Sequence, residues 1–139
     1  MYTLKTEASF DSAHFLSGYE GKCRNIHGHR WRIVAEIYSE KLVESGQERG
    51  MLVDFGQFKQ IVKREADDLD HAFIIEKDSL PEDLYKMLTG YGFRVISVDF
   101  RPTAENFSEY FYRRLADRGL RVKEVCVYET PNNCATYSE

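Results

Sequence analysis

Alternation of polar and apolar residues predicts β-strands near the start of the chain. Between residues 31 and 38, Ile33, Ala35 and Ile37 fall on one face and Arg32 and Glu36 on the other, which is the period of two expected for a half-buried strand. Residues 3–10 also mix polar and apolar positions, and they predict a strand that runs toward the first histidine of the chain. These two segments are the first elements of a predicted sheet.

A period of three to four residues predicts a long helix after these strands. Asp54 is a suitable N-cap, and Gln57 stands three residues later as a capping-box partner. The apolar stripe of this helix comprises Phe55, Phe58, Val62, Ala66 and Leu69. The helix is expected to end at Leu69, so that Asp70 and His71 lie at its C-terminal end.

The second half of the chain predicts further helices and strands. A short helix capped by Ser79 and Glu82 is expected to end at Gly90. A second long helix opens at residues 102–105, and Gly119 follows its end. The remaining strands are expected at residues 51–53, 93–100, 122–130 and 135–137. This order predicts an α+β fold with a mainly antiparallel sheet.

Composition limits the classes of protein to which the chain can belong. Its 139 residues suit one domain, and 42% hydrophobic residues suffice for a core. A net charge of -4 without a basic stripe argues against nucleic acid as a partner. No apolar run approaches ~18 residues, so no membrane span is expected. Three cysteines without Cys-x2-Cys spacing and a start unlike a secretion signal favour reduced thiols in the cytoplasm.

All four histidines stand where a metal site would need them. His27 and His29 are separated by Gly28, so in an extended segment both imidazoles point to one side. Gly28 is expected to let the backbone approach closely. With His14 they form a three-nitrogen ligand set, which zinc accepts at catalytic sites while keeping a fourth position open. Two surface histidines in a glycine turn would be the alternative for an isolated His-x-His pair.

Cys23 has three interpretations that its position leaves open. It could be a fourth zinc ligand that closes a structural site. It could instead be a reactive thiol whose thiolate is favoured by Lys22 and Arg24, which flank it. It could also be a plain buried cysteine, which is the interpretation given to Cys126 and Cys134.

Two acidic positions add candidate proton-transfer and binding groups. Asp70 precedes His71, and a carboxylate can orient an imidazole and raise its basicity; a helix-terminal ion pair is the alternative. Glu129 shares a strand face with Val125 and Val127, where an unpaired acid is costly. Its two oxygens could accept two parallel N–H groups of a heterocycle, or they could pair with an arginine.

Six blocks of this sequence together resemble the family of 6-pyruvoyl-tetrahydropterin and 6-carboxytetrahydropterin synthases. The blocks are FDSAH at 10–14, CRNIHGH at 23–29, MLVDF at 51–55, LDH at 69–71, PTAEN at 102–106 and YET at 128–130. They follow the family's order over nearly the whole chain. The resemblance implies a single tunnelling-fold domain over residues 1–139, with a four-stranded antiparallel sheet, two main helices on one face and assembly into a trimeric barrel.

The resemblance also implies roles for particular residues. It implies zinc held by His14, His27 and His29. It makes Cys23 the catalytic thiol, with Asp70 and His71 as its acid–base partners. It makes Glu129 the anchor of a pterin ring and Thr103 a second contact to that ring. A homohexamer built as a dimer of trimers, with active sites at subunit interfaces, follows from the same resemblance.

The short Cys-x3-His-Gly-His spacing is similar to that of the bacterial carboxytetrahydropterin branch, which serves queuosine and 7-deazapurine synthesis. The resemblance thus implies a zinc-dependent lyase that converts 7,8-dihydroneopterin triphosphate to 6-carboxy-5,6,7,8-tetrahydropterin, acetaldehyde and triphosphate. The alternatives are a 6-pyruvoyl-tetrahydropterin synthase and, in another class, a noncatalytic zinc- or pterin-binding module. After His71 the chain departs from the family pattern, and residues 76–92 are longer than in compact members.

Overall fold

The computed structural model describes residues 1–139, which form six strands, three helices and one short 3-10 turn. The strands are β1 (Tyr2–His14), β2 (His27–Ser39), β3 (Ala72–Glu76), β4 (Val95–Val98), β5 (Val122–Thr130) and β6 (Asn133–Ser138). The helices are α1 (Phe55–Asp67), α2 (Glu82–Gly90) and α3 (Ala104–Asp117), and the 3-10 turn is Lys22–Arg24. None of the three helices combines the length and the apolar character needed to cross a bilayer.

The strands form one mixed sheet in the order β4-β3-β1-β2-β5-β6. The run from β1 through β2 and β5 to β6 is antiparallel, whereas β3 is parallel to β1 and β4 is parallel to β3. The α+β class is confirmed, but the expected four-stranded antiparallel sheet is corrected to six strands of mixed direction. Beyond the four antiparallel strands, the sheet includes β3, whose apolar residues 72–75 suit a buried parallel strand. It also includes β4, which lies within the strand expected at residues 93–100.

The hydrophobic core lies between one face of the sheet and the two long helices. Alternate residues of β2, including Trp31 and Ile33, are fully buried against Phe107 and Phe111 of α3. Helix α1 contributes Phe58, Val62 and Ala66, which are also fully buried. Helix α2 contributes no buried residue. Two main helices therefore cover one face of the sheet, as expected.

Helix α1 follows its sequence signals only in part. Asp54 is the N-cap, and its side chain accepts the Gln57 N–H at 3.0 Å. The Gln57 amide donates to Glu48 instead, so the capping box is incomplete. Phe55 is 65% exposed and therefore lies outside the buried stripe. The helix ends at Asp67, two residues before Leu69.

The other predicted elements agree with the structure in part. Residues 51–53 are not a strand, and α2 begins after Pro81 with no side-chain cap, so Ser79 does not cap it. Helix α3 begins after Thr103 and is followed by Gly119, whose φ of 84° is the left-handed conformation typical of a helix C-terminus. Strand β5 occupies residues 122–130 as predicted.

Candidate metal centre and active site

Strand register brings three histidines together at one end of the core. His14 is the last residue of β1 and lies directly opposite His27, the first residue of β2. His29 follows two residues later on the same face of β2. One ligand atom from each residue lies within 4.8 Å of the other two, and the Nε2 atoms of His14 and His27 are 3.1 Å apart. These three side chains could hold one metal ion.

Main-chain carbonyl groups orient two of the imidazole rings. Nδ1 of His14 donates to the Pro102 carbonyl at 2.7 Å, and Nδ1 of His27 donates to the Asn25 carbonyl at 2.6 Å. A carbonyl can only accept, so each Nδ1 carries the proton and each Nε2 keeps a free lone pair. Metal-binding histidines commonly donate their second N–H in this way.

The third histidine has a buried nitrogen without a hydrogen-bond partner. Nε2 of His29 is inaccessible to solvent and unpaired. The acidic group beside it is Glu129, whose Oε1 lies 3.6 Å away, beyond normal hydrogen-bond length. An unsatisfied buried polar atom is costly, and coordination of a metal would relieve that cost. The donor set therefore fits a metal with three nitrogen ligands.

Burial keeps two of these histidines in the form that binds metal. It lowers the pKa of His14 from 6.5 to about 4, although the Pro102 carbonyl opposes the shift. Burial also lowers the pKa of His29, and the nearby Glu129 carboxylate opposes this change. Neutral imidazole is the metal ligand, so both side chains are available at neutral pH.

Cys23 is only four residues from His27 in sequence, but it does not belong to the group of three histidines. It occupies the 3-10 turn Lys22–Arg24 and is half-buried. Its carbonyl accepts the N–H of Leu16 at 2.9 Å, which ties this turn to the segment that follows β1. Its sulfur is not among the mutually close ligand atoms, which come only from His14, His27 and His29. Three nitrogen ligands leave a fourth position open.

Gly28 does not have the steric role expected from the sequence. A Cβ atom built on Gly28 would meet only the Ser12 carbonyl, at 3.5 Å, which is an ordinary van der Waals contact. Its φ is not in the left-handed region. Within the chain, therefore, no close backbone approach requires glycine at this position.

Asp70 and His71 form a hydrogen-bonded pair just beyond α1. Oδ2 of Asp70 accepts Nδ1–H of His71 at 2.7 Å, and Oδ1 accepts the N–H of Asp11 at 2.8 Å. The hydrogen bond from the Asp11 N–H holds the pKa of Asp70 below its usual value, and the hydrogen bond from His71 adds a smaller shift in the same direction. The His71 side chain is 79% exposed. The pair thus presents an exposed imidazole oriented by an ionised carboxylate.

Two clefts flank the segment of β2 that carries His29. A cleft of about 570 Å³ is lined by His29 and His71 together with Asp11 and Arg94. A second cleft of about 400 Å³ is lined by His29 and Glu129, with Arg32 and Tyr128 beside them. His29 therefore shares one cleft with His71 and the other with Glu129.

Thr103 has a structural role that the sequence analysis did not assign to it. Its hydroxyl accepts the N–H of Asn106 at 3.3 Å as the N-cap of α3. The preceding carbonyl, that of Pro102, holds His14. Sequence analysis also missed the main-chain roles of Asn25 and Asp11, because a carbonyl or amide contact has no residue-specific signal.

Comparison with known proteins identifies relatives along the whole chain. A 6-carboxy-5,6,7,8-tetrahydropterin synthase of Haemophilus influenzae is 37% identical over 142 residues and covers 100% of both chains. A protein of the same name from Aquifex aeolicus is 33% identical over 128 residues, covering 85% of this chain and 76% of its own. Both similarities extend beyond the residues of the site.

Solved structures share the fold at lower sequence identity. An uncharacterised protein of Wolinella succinogenes superposes with a TM-score of 0.79 at 21% identity, covering 99% of this chain and 98% of its own. A 6-pyruvoyl tetrahydropterin synthase of Plasmodium vivax gives 0.71 at 20% identity, with 99% and 97% covered. Residues 3–139 match the family described as 6-pyruvoyl tetrahydropterin synthase. The chain belongs to the 6-pyruvoyl tetrahydropterin synthase family.

Proposed function

We propose that the chain is a zinc-dependent 6-carboxytetrahydropterin synthase. It would convert 7,8-dihydroneopterin triphosphate to 6-carboxy-5,6,7,8-tetrahydropterin, acetaldehyde and triphosphate, for queuosine or another 7-deazapurine. The observation that carries this proposal is the convergence of His14, His27 and His29 beside an exposed Asp–His pair. The names of relatives up to 37% identical support the carboxytetrahydropterin branch, as does the short spacing between Cys23 and His27.

The metal and the protein would have separate tasks. Zinc held by the three histidines would supply Lewis acidity toward oxygen atoms of the substrate side chain. Asp70 holds the proton on Nδ1 of His71, so Nε2 of that ring is free to accept a proton from the substrate. The Cys23 thiol would transfer a second proton, which agrees with a sulfur atom that stands outside the ligand group.

Glu129 is suited to hold the pterin ring. Its side chain is 31% exposed and opens into the cleft that it shares with His29. The two carboxylate oxygens can accept the two parallel N–H groups of an aminopyrimidinone edge. Thr103 would be a second ring contact, although its hydroxyl already caps α3. The ring would then lie beside the metal rather than on it.

The proposed assembly is a cytoplasmic homohexamer of single-domain subunits, built as a dimer of trimers with active sites at subunit interfaces. Strands β4 and β6 are the two edges of the sheet, and unpaired edges are suited to pairing with another copy. The exposed His71 ring supports a site completed by a neighbouring subunit. A trimeric barrel would join such edges around a common axis.

The test is incubation of zinc-loaded protein with 7,8-dihydroneopterin triphosphate and identification of products by mass spectrometry. Carboxytetrahydropterin with acetaldehyde is the expected result. A pyruvoyl product would assign the chain to the sister activity. No consumption of a verified substrate would favour a noncatalytic zinc- or pterin-binding module.

A matched pair of cysteine variants tests the thiol. Cys23→Ala is expected to retain zinc and lose turnover. Cys134→Ala should keep both, because it changes a thiol that is exposed on β6 rather than buried as the sequence suggested. Full activity in Cys23→Ala would remove the thiol from the mechanism. Loss of zinc in Cys23→Ala would instead indicate a fourth, sulfur ligand and a closed structural site.

A further inference from the structure

The Asp70–His71 pair stands on a turn with an unusual backbone conformation. His71 has a φ of 52°, in the left-handed region that non-glycine residues adopt only when neighbouring contacts hold them there. Its N–H donates to the Asp11 carbonyl at 2.7 Å, and Asp11 N–H returns a hydrogen bond to the Asp70 carboxylate. These contacts attach one side of the turn to β1.

The other side of the turn is held by Arg94. The last carbonyl groups of a helix lack partners within it, and after α1 the chain continues as a non-helical turn. One guanidinium nitrogen of Arg94 donates to the Asp68 carbonyl at 2.7 Å, and the other donates to the Asp70 carbonyl. A single planar side chain therefore bridges the turn from its outer side.

The main chain of Arg94 is held by the sheet, although the residue is exposed. Its carbonyl accepts the N–H of Phe73 at 2.9 Å, and the next residue, Val95, begins β4 and pairs with Phe73. Arg94 also lines the cleft that His29 and His71 share. After α2, the chain therefore comes back to the turn that carries Asp70 and His71, and Arg94 is the residue that contacts this turn.

We propose that Arg94 is a positioning residue for Asp70 and His71. This inference rests on the proposed function, because it assigns the residue that orients the proton-transfer pair. The guanidinium fixes the two carbonyls of the turn, and through them the backbone of His71 and the direction of its imidazole. Lysine has a single ammonium group and cannot reproduce the planar fork.

The first experiment is steady-state kinetics on zinc-loaded Arg94→Gln and Arg94→Lys. Arg49 is exposed on the loop between β2 and α1, so Arg49→Gln is the matched control. Arg94→Gln is expected to lower kcat by about 10- to 100-fold, the cost of a misplaced catalytic group, with KM changed by less than about threefold. Arg94→Lys should fall between Arg94→Gln and the wild type, and the control should be unchanged. Zinc content should be equal in all four proteins.

The second experiment measures the hydrogen bond between Asp70 and His71 by NMR and does not depend on turnover. In protein labelled with ¹⁵N-histidine, the Nδ1–H signal of His71 reports its hydrogen bond to Asp70. That signal should persist in the wild type and in Arg49→Gln, and it should broaden or vanish in Arg94→Gln. If the wild type turns over no substrate, the proposed function fails while this comparison still decides the role of Arg94.

Two results would overturn the inference. One is an Arg94→Gln protein with an unchanged Nδ1–H signal and a kcat within about twofold of the wild type. A twofold change in kcat is well below the effect of a displaced catalytic group. The other is an Arg94→Gln protein that loses zinc and melts early, because general structural damage would then account for the lost activity.

Discussion

Replacement of His14 by asparagine tests whether burial prepares this histidine as a metal ligand. His14 is 1% exposed, and its pKa falls from 6.5 to about 4 on folding. The folded, metal-free protein therefore binds this proton less readily than the unfolded chain does. The stability that depends on neutral His14 is complete above pH 6.5 and is lost as the pH falls toward 4.

The size of the effect follows from the two pKa values. At pH 5 the unfolded histidine is almost fully protonated and the folded one is almost fully neutral. The difference lowers the free energy of unfolding by about 2 kcal/mol per subunit relative to pH 7. Asparagine can still donate to the Pro102 carbonyl, but it does not titrate, so the His14→Asn variant should lack this contribution.

The assay is urea unfolding of both metal-free proteins at pH 7 and pH 5 with a chelator present. All other titrating groups are common to the two proteins, so the difference between their pH dependences isolates His14. The wild type should lose about 2 kcal/mol more than His14→Asn between these pH values. Equal losses would refute the view that the folded protein holds this imidazole neutral, and with it the view that burial prepares the ligand.

Three further predictions concern stability and metal binding. Glu65 is 1% exposed and is bonded to Arg114 and Arg118, which are each 40% exposed. Replacing both arginines by methionine should lower the free energy of unfolding, measured with urea, by about 3–5 kcal/mol, because it leaves the buried Glu65 charge unpaired. Glu65→Leu should lower it far less, because this change removes the buried charge. Zinc at about 100 times its dissociation constant should stabilise the wild type by about 2.7 kcal/mol, and His29→Ala should lose most of this gain in thermal melts with and without zinc. Thr103→Ala should lower the free energy of unfolding by about 1 kcal/mol through loss of the α3 cap, with Thr103→Ser close to the wild type; an equal loss in both variants would contradict the capping role.

Local signals were sufficient for the antiparallel part of the fold and for α3. Strand β5 shows period-two burial at Val125 and Val127, and α3 begins after its N-cap Thr103 and is followed by Gly119. Strand β4 lies within the strand predicted at residues 93–100, although it has only four residues. Strand β3 was not predicted, because it is a short apolar run without a period. Their parallel pairing joins segments whose separation in sequence carries no local signal.

The grouping of His27 with His29 was predictable, because strand periodicity alone places both side chains on one face. The contacts around it were not, because they are made by the carbonyl groups of Pro102 and Asn25. Any residue has a carbonyl, so only the folded chain shows which one faces a ring. The same limit applies to Arg94, which reaches main-chain atoms 24 and 26 residues before it.

Because His14 pairs directly with His27, binding of a metal ion by the three histidines would report correct pairing of β1 and β2. His14 and His27 are direct partners at the end of β1 and β2, which pair without interruption from Tyr2 and Ser39 to this point. A slip of one residue would turn every side chain of one strand to the opposite face and would separate His14 from the other two ligands. A chain with that error would lack the three-histidine group and would not retain an ion held by it. The metal content of a preparation would then measure the fraction of molecules in which β1 and β2 have paired in register.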